Sequence, residues 1–218
     1  MIKICIVDDH AIMREGLKKM FFDVEAIEVV DEAGSAQELL EKLPNSNWDV
    51  LILDISLPDR SGIDLLKEIK KHQSKMAILV LTMHDEEQYG FRAFKAGASG
   101  FLTKDTVGEL LITAIIKVAK GEKYISPNLA EKLVTMINSF ENESSLDHLS
   151  DREFEVLSLM GAGKLISEIA KQLSLSVKTV STYRSRILSK LKLNNNAEII
   201  HYCIENQILE KSRAKVGV

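Results

Sequence analysis

Carboxylates, a hydroxyl and an ammonium stand at the ends of short apolar runs in this chain. Ile4-Cys5-Ile6-Val7 stops at Asp8-Asp9, and Val50-Leu51-Ile52-Leu53 stops at Asp54. Ala77-Ile78-Leu79-Val80-Leu81 stops at Thr82, and Gly100-Phe101-Leu102 stops at Thr103-Lys104. If these runs are parallel neighbouring strands, their carboxyl ends lie side by side, in the crevice where open α/β sheets bind ligands. Convergent carboxylates repel one another, so a cation is implied, and mixed carboxylate and water oxygens suit Mg²⁺. A hydroxyl and an ammonium are the partners that phosphoryl oxygens need. A single Asp at a strand end is most simply an N-cap for the following helix. The same kind of ending on strand after strand of one sheet points instead to a shared site.

The elements that must position these groups are legible as an alternation. Strands are expected near 2–7, 27–32, 49–54, 77–82 and 99–103, with amphipathic helices near 12–22, 35–43, 62–72, 86–96 and 106–120 between them. Such βαβ alternation argues for a parallel sheet with helices on both faces. Gly97 and Gly121 sit where helices should stop. From Glu122 the pattern loosens: a helical stretch from Asn128 to Phe140 gives way to the polar linker Glu141-Asn142-Glu143-Ser144-Ser145. The expected domains are therefore 1–121, a linker with a helical segment over 122–147, and 148–218.

The last third is helical by pattern. Ser150-x-x-Glu153 is a capping box ahead of Phe154, Val156, Leu157, Leu159 and Met160. A second helix is expected over about Ser167 to Leu173, a short turn at Ser174-Leu175-Ser176, and a third helix capped by Ser176 and running from Val177 to about Leu191. Two helices joined by so tight a turn form a helix-turn-helix pattern. On the third helix Val180, Ile187, Leu188 and Leu191 mark the inward stripe, leaving Lys178, Ser181, Thr182, Ser185 and Ser189 opposite. Lys178, Arg184, Arg186, Lys190 and Lys192 fall in 176–193 without an acid among them, whereas a merely solvated face mixes both signs. Small hydroxyls flanked by cations suit a helix entering the major groove, hydroxyls near base edges and cations on phosphates. Ser and Thr contact several bases, so base preference stays open.

Composition bounds the rest. The 218 residues are comfortable for two domains, and 45% hydrophobic content permits a real core. No apolar stretch approaches the roughly 20 residues that span a bilayer, and Lys3 with Asp8-Asp9 breaks any signal-peptide pattern. Cys5 and Cys203 have no metal or disulfide spacing and fit a reducing cytoplasm. The net charge of −4 hides a split. Residues 1–147 hold 17 Lys+Arg and 25 Asp+Glu, or −8, and residues 148–218 hold 11 and 7, or +4. Charge asymmetry of this kind points to nucleic-acid binding by the basic part.

Residues Ile2 to about Gly121 resemble the receiver domain of two-component response regulators, with DD after the first strand, D after the third, T after the fourth and K after the fifth. Residues Leu149 to about Ile208 resemble the LuxR-type helix-turn-helix of the NarL/FixJ subfamily. The matching residues are Leu149-Ser150-x-Arg152-Glu153-x-Glu155-Val156-Leu157, Glu168-Ile169-Ala170, Leu173, Ser176-x-Lys178-Thr179-Val180-Ser181 and Ile187-Leu188-x-Lys190-Leu191. The resemblance implies a flavodoxin-like, doubly wound (βα)5 receiver with parallel sheet order 2-1-3-4-5 and an all-α second domain. It implies that Asp54 is a phosphoacceptor served by a cognate histidine kinase or a small-molecule donor, and that Asp8, Asp9, Asp54 and the backbone carbonyl of Ser56 hold Mg²⁺. Lys104 would pair with phosphoryl oxygens. Thr82 would close on the phosphoryl group and leave room for Phe101 to turn inward, the switch of such domains. Ser56 and His84 lie where receivers tune the lifetime of the acyl phosphate.

The same resemblance places Lys178, Thr179, Ser181, Thr182 and Ser185 against promoter DNA, with Arg186 on a phosphate, in a homodimer formed on phosphorylation. Two departures stand out. Leu165 replaces a small hydroxyl, which moves the expected cap of the second helix to Ser167. Arg184 replaces an apolar residue, making it either a core-edge side chain or an extra phosphate contact. Among the apolar residues of a last helix over about 197–206, Ile199 to Ile204, half fill the domain's own core and the rest serve dimerisation in the family.

The expected protein is a cytoplasmic transcriptional regulator with no membrane segment, not an enzyme apart from Mg²⁺-dependent self-phosphorylation and slow self-dephosphorylation at Asp54. Two rivals are weighed. A metal-dependent aspartyl phosphatase wants an acid two residues after its nucleophile, where this chain has Ser56, and no cap domain follows. A protein-binding output module would lack the steep salt dependence of a DNA contact.

Overall fold

The structure, a computed structural model, describes residues 1–106, 108–127, 129–131, 149–206 and 208. The chain forms two compact units, 1–136 and 137–218.

The first unit is a five-stranded sheet of β1 (Ile2–Val7), β2 (Ile27–Ala33), β3 (Val50–Leu53), β4 (Ala77–Thr82) and β5 (Gly100–Thr103). Its order is β2-β1-β3-β4-β5, all neighbours parallel. The helices between strands are α1 (Ala11–Phe22), α2 (Ala36–Lys42), α3 (Gly62–His72), α4 (Glu86–Lys95) and α5 (Glu109–Ala119). Strand interiors buried on both faces explain the unbroken apolar runs of β3 and β4. Ile4, Ile6, Val50, Ile52, Leu79, Leu81 and Leu102 face α1 and α5, packing against Leu17, Phe21, Leu111, Ile115 and Val118. Strand residues alternate in direction, so Cys5, Val7, Leu51, Leu53, Ile78, Val80 and Phe101 point the other way, and these are buried too. Each such Leu or Ile contributes about 2 kcal/mol by leaving water.

Order 2-1-3-4-5 means that the chain leaves β1 in one direction across the sheet and leaves β3 in the other. Beside β1 and β3 the connections therefore diverge, opening a crevice at the carboxyl ends of these two strands. Helices α4 and α5 are followed by Gly97 and Gly121, both at positive φ. The expected start of α5 near 106 is displaced. Lys104–Thr106 is a single 3₁₀ turn, tied by the Thr106 hydroxyl donating to the Thr103 carbonyl at 2.7 Å, and α5 begins after Gly108. Past α5, Tyr124 bridges in parallel to Gly100 at the outer edge of β5. Residues 129–131 are helical as expected. The remainder of the expected helical segment and linker, 132–147, lies outside the described residues.

The second unit consists, among the described residues, of α6 (Asp151–Gly161), α7 (Ile166–Gln172), α8 (Val177–Leu191) and α9 (Asn196–Glu205). α6 opens on the capping box: the Glu153 backbone N–H donates to the Ser150 hydroxyl, and the Ser150 N–H donates to the Glu153 carboxylate. α7 begins earlier than expected. Leu165, not Ser167, is its N-cap, and because leucine offers no cap oxygen only the other half of the box forms, Glu168 accepting from the Leu165 N–H at 2.7 Å. The turn to α8 passes through Ser174 in the left-handed region, φ 53°. Ser176 then caps α8 by accepting from the Thr179 N–H, and Lys192 closes it at φ 57° as Leu193 N–H returns to the Leu188 carbonyl. Val180, Ile187 and Leu191 on α8 are buried with Val156, Leu157, Ile169, Ile199 and Cys203. Burial pushes the Cys203 thiol up to about 12 and the Cys5 thiol well above its ordinary range.

Candidate functional site

Register assembles the acidic crevice. Val7 pairs with Leu53, so Asp8 and Asp54 are the next residues on adjacent strands. Backbone bonds hold both strand ends: Asp54 N–H donates to the Val7 carbonyl at 2.8 Å and Asp8 N–H to the Ala33 carbonyl at 3.1 Å. Thr82 and Thr103 pair at the ends of β4 and β5, and Lys104 follows directly.

Lys104 Nζ lies 2.6 Å from Asp8 Oδ2 and 2.6 Å from Asp54 Oδ2, and all three side chains are at most 4% exposed. One ammonium thus bridges two buried carboxylates. Burial on its own would lower the Lys104 pKa, but the adjoining Asp54 and Asp8 carboxylates outweigh it and hold the pKa above the ordinary lysine value. Asp9 is more exposed, and His10 Nδ1 sits 2.7 Å from Asp9 Oδ1 and 3.2 Å from Asp8 Oδ1. Ligand atoms of Asp8, Asp9, His10 and Asp54 all lie within 4.8 Å of one another. A set dominated by carboxylate oxygens, with more negative than positive charge, fits a hard divalent ion such as Mg²⁺.

The opposite wall is built from hydrogen bonds. Ser56 N–H donates to Asp54 Oδ1 at 3.0 Å, fixing the loop after β3 over the carboxylate. Ser56 Oγ and His84 Nε2 are 2.7 Å apart, the His84 N–H donates to Thr82 Oγ1 at 3.4 Å, and the His84 ring stacks on Tyr89 at 4.3 Å between centroids. The Phe101 side chain is fully buried, at 0% exposure.

Two residues that frame this crevice carry little signal in the sequence. A Cβ on Gly62 would stand 2.4 Å from Ile55 Cα and 2.6 Å from the Asp54 carbonyl oxygen, so only glycine lets α3 start this close to the backbone of Asp54. The turn pair Ser61-Gly62 was the available hint. Arg14 Nη1 donates to the Asp8 carbonyl at 2.6 Å, and nothing in its spacing announces this.

In the second unit Lys178, Thr182, Ser185 and Arg186 are exposed on α8, while Thr179 and Ser181 are half-buried. Two of the basic residues are engaged internally. Lys190 Nζ lies 2.6 Å from Glu153 Oε2, and Arg184 Nε donates to Asn196 Oδ1 at 2.6 Å, tying α8 to the first turn of α9. Arg184 is thus placed at the core edge. Burial would raise the Glu153 pKa, but the Lys190 ammonium and the Ser150 N–H outweigh it and hold it below the ordinary value. Lys178, Arg186 and Lys192 have no carboxylate partner among the described residues. On α9, Ile199 and Cys203 are in the core, and Ile200 and Ile204 are 37% and 56% exposed.

Comparison with known proteins agrees with both halves. Residues 4–116 match the response regulator receiver domain, and residues 147–203 match the bacterial regulatory proteins of the luxR family. The chain is 37% identical over 219 residues to the oxygen regulatory protein NreC of Staphylococcus epidermidis, covering 95% of this chain and 99% of that one. It is 31% identical over 207 residues to the response regulator UvrY of Escherichia coli, covering 94% and 95%. Among solved structures, the RcsB response regulator of Salmonella typhimurium matches with TM-score 0.65 and 30% identity over 94% of this chain and 97% of that one. A two-component response regulator RcsB–DNA complex matches with TM-score 0.58 and 30% identity, over 93% and 98%. An acidic crevice at the switch point of a 2-1-3-4-5 sheet, a helix-turn-helix unit later in the chain and relatives matched along nearly their whole length have one common source: this chain belongs to the NarL/FixJ family of response regulators.

Proposed function

We propose that the chain is a phosphorylation-controlled, DNA-binding transcriptional regulator of the cytoplasm, with a receiver over 1–121, a linker over 122–147 and a DNA-binding domain over 148–218. The observation that carries this reading is the ammonium of Lys104 held between the buried carboxylates of Asp8 and Asp54. A carboxylate paired with an ammonium at the mouth of a crevice is placed to act as a nucleophile. An Asp54 oxygen attacks the phosphorus of a phosphohistidine on a kinase, or of a small acyl phosphate. The bond from phosphorus to the donor breaks, and its electron pair leaves with the donor. Asp54 uses one oxygen toward the Ser56 N–H, which orients the carboxylate. Lys104 follows the charge onto the new phosphoryl oxygens, and the Thr82 hydroxyl takes another of them. Mg²⁺, bound by Asp8, Asp9, Asp54 and the Ser56 carbonyl, would neutralise the approaching dianion, which the acidic crevice otherwise repels.

Phosphorylation then changes the surface around Thr82 and Phe101 and promotes pairing of two chains, whose α8 helices enter successive major grooves of promoter DNA. Lys178, Thr179, Ser181, Thr182 and Ser185 face the DNA, the hydroxyls near base edges and Lys178, with Arg186, on phosphates. The test is labelling with acetyl phosphate and Mg²⁺. One phosphoryl group per chain, lost in Asp54→Asn, together with tighter DNA binding by the labelled protein, is expected. Labelling that persists in Asp54→Asn, or DNA affinity identical for Asp54→Ala and protein treated with a phosphoryl mimic, refutes the reading.

A further inference from the structure

His10 stands at the mouth of the acidic crevice, next in sequence to Asp9. It is the residue before α1 and has the extended backbone of an N-cap, yet its side chain makes no capping bond to the helix. The ring turns to the carboxylates instead, with Nδ1 2.7 Å from Asp9 Oδ1 and 3.2 Å from Asp8 Oδ1. Two hydrogen bonds hold the turn that carries it. The His10 N–H donates to Asp8 Oδ1 at 2.9 Å, and Arg14 Nη1 donates to the Asp8 carbonyl at 2.6 Å.

The two oxygens of Asp8 have separate partners. Oδ2 takes the Lys104 ammonium at 2.6 Å, and Oδ1 faces His10. His10 Nδ1 thus lies against the oxygens of Asp8 and Asp9 that Lys104 does not occupy. Ligand atoms about 2.1 Å from one octahedral ion, at right angles to each other, are about 3.0 Å apart. The observed separations of 2.7 and 3.2 Å fall on either side of that value, so the nitrogen and the two carboxylate oxygens can share one ion with little movement. The ring is 69% exposed, so it can keep its hydrogen on Nε2 toward water and offer the Nδ1 lone pair to a metal. Carboxylate and carbonyl oxygens suit Mg²⁺, whereas an imidazole nitrogen suits first-row transition ions.

We propose that His10 ligates the divalent ion of this crevice through Nδ1, and that this nitrogen biases the site toward first-row transition ions over Mg²⁺. The inference rests on the metal-binding reading above and adds a ligand and the class of ion it favours.

The test uses the full chain without an affinity tag, with the chloride salts of Mg²⁺, Mn²⁺ and Ni²⁺ as probes. Calorimetric titration gives the affinities, and pulsed electron paramagnetic resonance of the Mn²⁺ form shows whether a nitrogen is bound to the ion. The expected result is nitrogen coupling in the native chain that disappears in His10→Ala. In the same variant the ratio of Ni²⁺ to Mg²⁺ affinity should fall at least about tenfold, the scale on which changes around a metal alter its affinity. His10→Asn, which returns a ligand oxygen in place of the ring nitrogen, should leave the ratio low. Circular dichroism checks that both variants are folded. No nitrogen coupling in the native chain, or a ratio unchanged in His10→Ala, overturns the inference while leaving metal binding intact. No ion bound by the native chain, or binding unchanged in Asp9→Asn, overturns the metal-binding reading and the inference together.

Discussion

Replacing Lys104 by Met tests the central electrostatic claim. The side chain keeps its length and loses its charge, leaving the Asp8 and Asp54 carboxylates facing one another at 3% side-chain exposure without the ammonium 2.6 Å from each. Removing one member of a buried ion pair costs about 3–5 kcal/mol, because the remaining charge is left uncompensated. A receiver-sized domain loses about 2 kcal/mol of stability per molar urea, so the midpoint should fall by about 2 M. The chain has a single tryptophan, Trp48, in the receiver and only 7% exposed, so its fluorescence follows the unfolding of this unit alone. The loss should appear in EDTA and be largely reversed by Mg²⁺, which takes over the charge that Lys104 supplied. A ligand at about 100 times its Kd adds about 2.7 kcal/mol. The native protein, whose carboxylates already have a cation, should gain less from the same Mg²⁺. Since the Lys104 pKa is raised, its contribution is fully present below the ordinary lysine value and is lost only as pH rises through the higher folded value. The difference between native and variant should therefore be flat from pH 6 to pH 9. Equal midpoints in EDTA, or equal gains from Mg²⁺, would refute the bridging role.

Gly62→Ala should leave the chain folded but move the backbone at Asp54, costing about 1–3 kcal/mol by overpacking and slowing labelling by acetyl phosphate; a labelling rate like that of the native chain would show that the contact is slack. Lys190→Met should destabilise the second unit, by less than a fully buried pair because Lys190 is 38% exposed, and thermal melting by circular dichroism checks it. Glu153 has a lowered pKa, so its share of stability is present above the ordinary glutamate value and disappears as pH falls through the lower folded value. With Lys178, Arg186 and Lys192 as the phosphate contacts, log affinity for DNA should fall against log salt with a slope of about −2.7 per chain. Lys178→Ala should reduce that slope by about one unit per chain, while Arg184→Ala should leave it unchanged.

Much of this protein was written in local sequence. The βαβ alternation, the capping box at Ser150 and Glu153 and the cap at Ser176 are short-range patterns, and each holds in the structure because backbone donors and hydrophobic faces must be satisfied locally. The strand-end position of Asp8, Asp54, Thr82 and Lys104 was equally visible, since an apolar run that stops at a polar residue marks where a buried strand meets water. Where local signals competed, the outcome was not visible. Ser167 offered a better cap oxygen than Leu165, yet the Glu168 carboxylate reaching back to the Leu165 N–H set the start of α7.

Tertiary structure alone decided which charges are spent within the protein. Lys104 is separated from Asp54 by 50 residues and Lys190 from Glu153 by 37, so no periodicity could report either pair. Parallel register brought the first pair together, and the packing of α6 on α8 the second. The close approach of Gly62 to the Asp54 carbonyl is likewise a distance between two backbone segments, which a residue name cannot state. Sequence thus determined which chemical groups lie at the sheet edge and on the helix face. The fold determined their partners, because electrostatic and hydrogen-bond energies depend on separations of a few ångströms that only the packed chain sets.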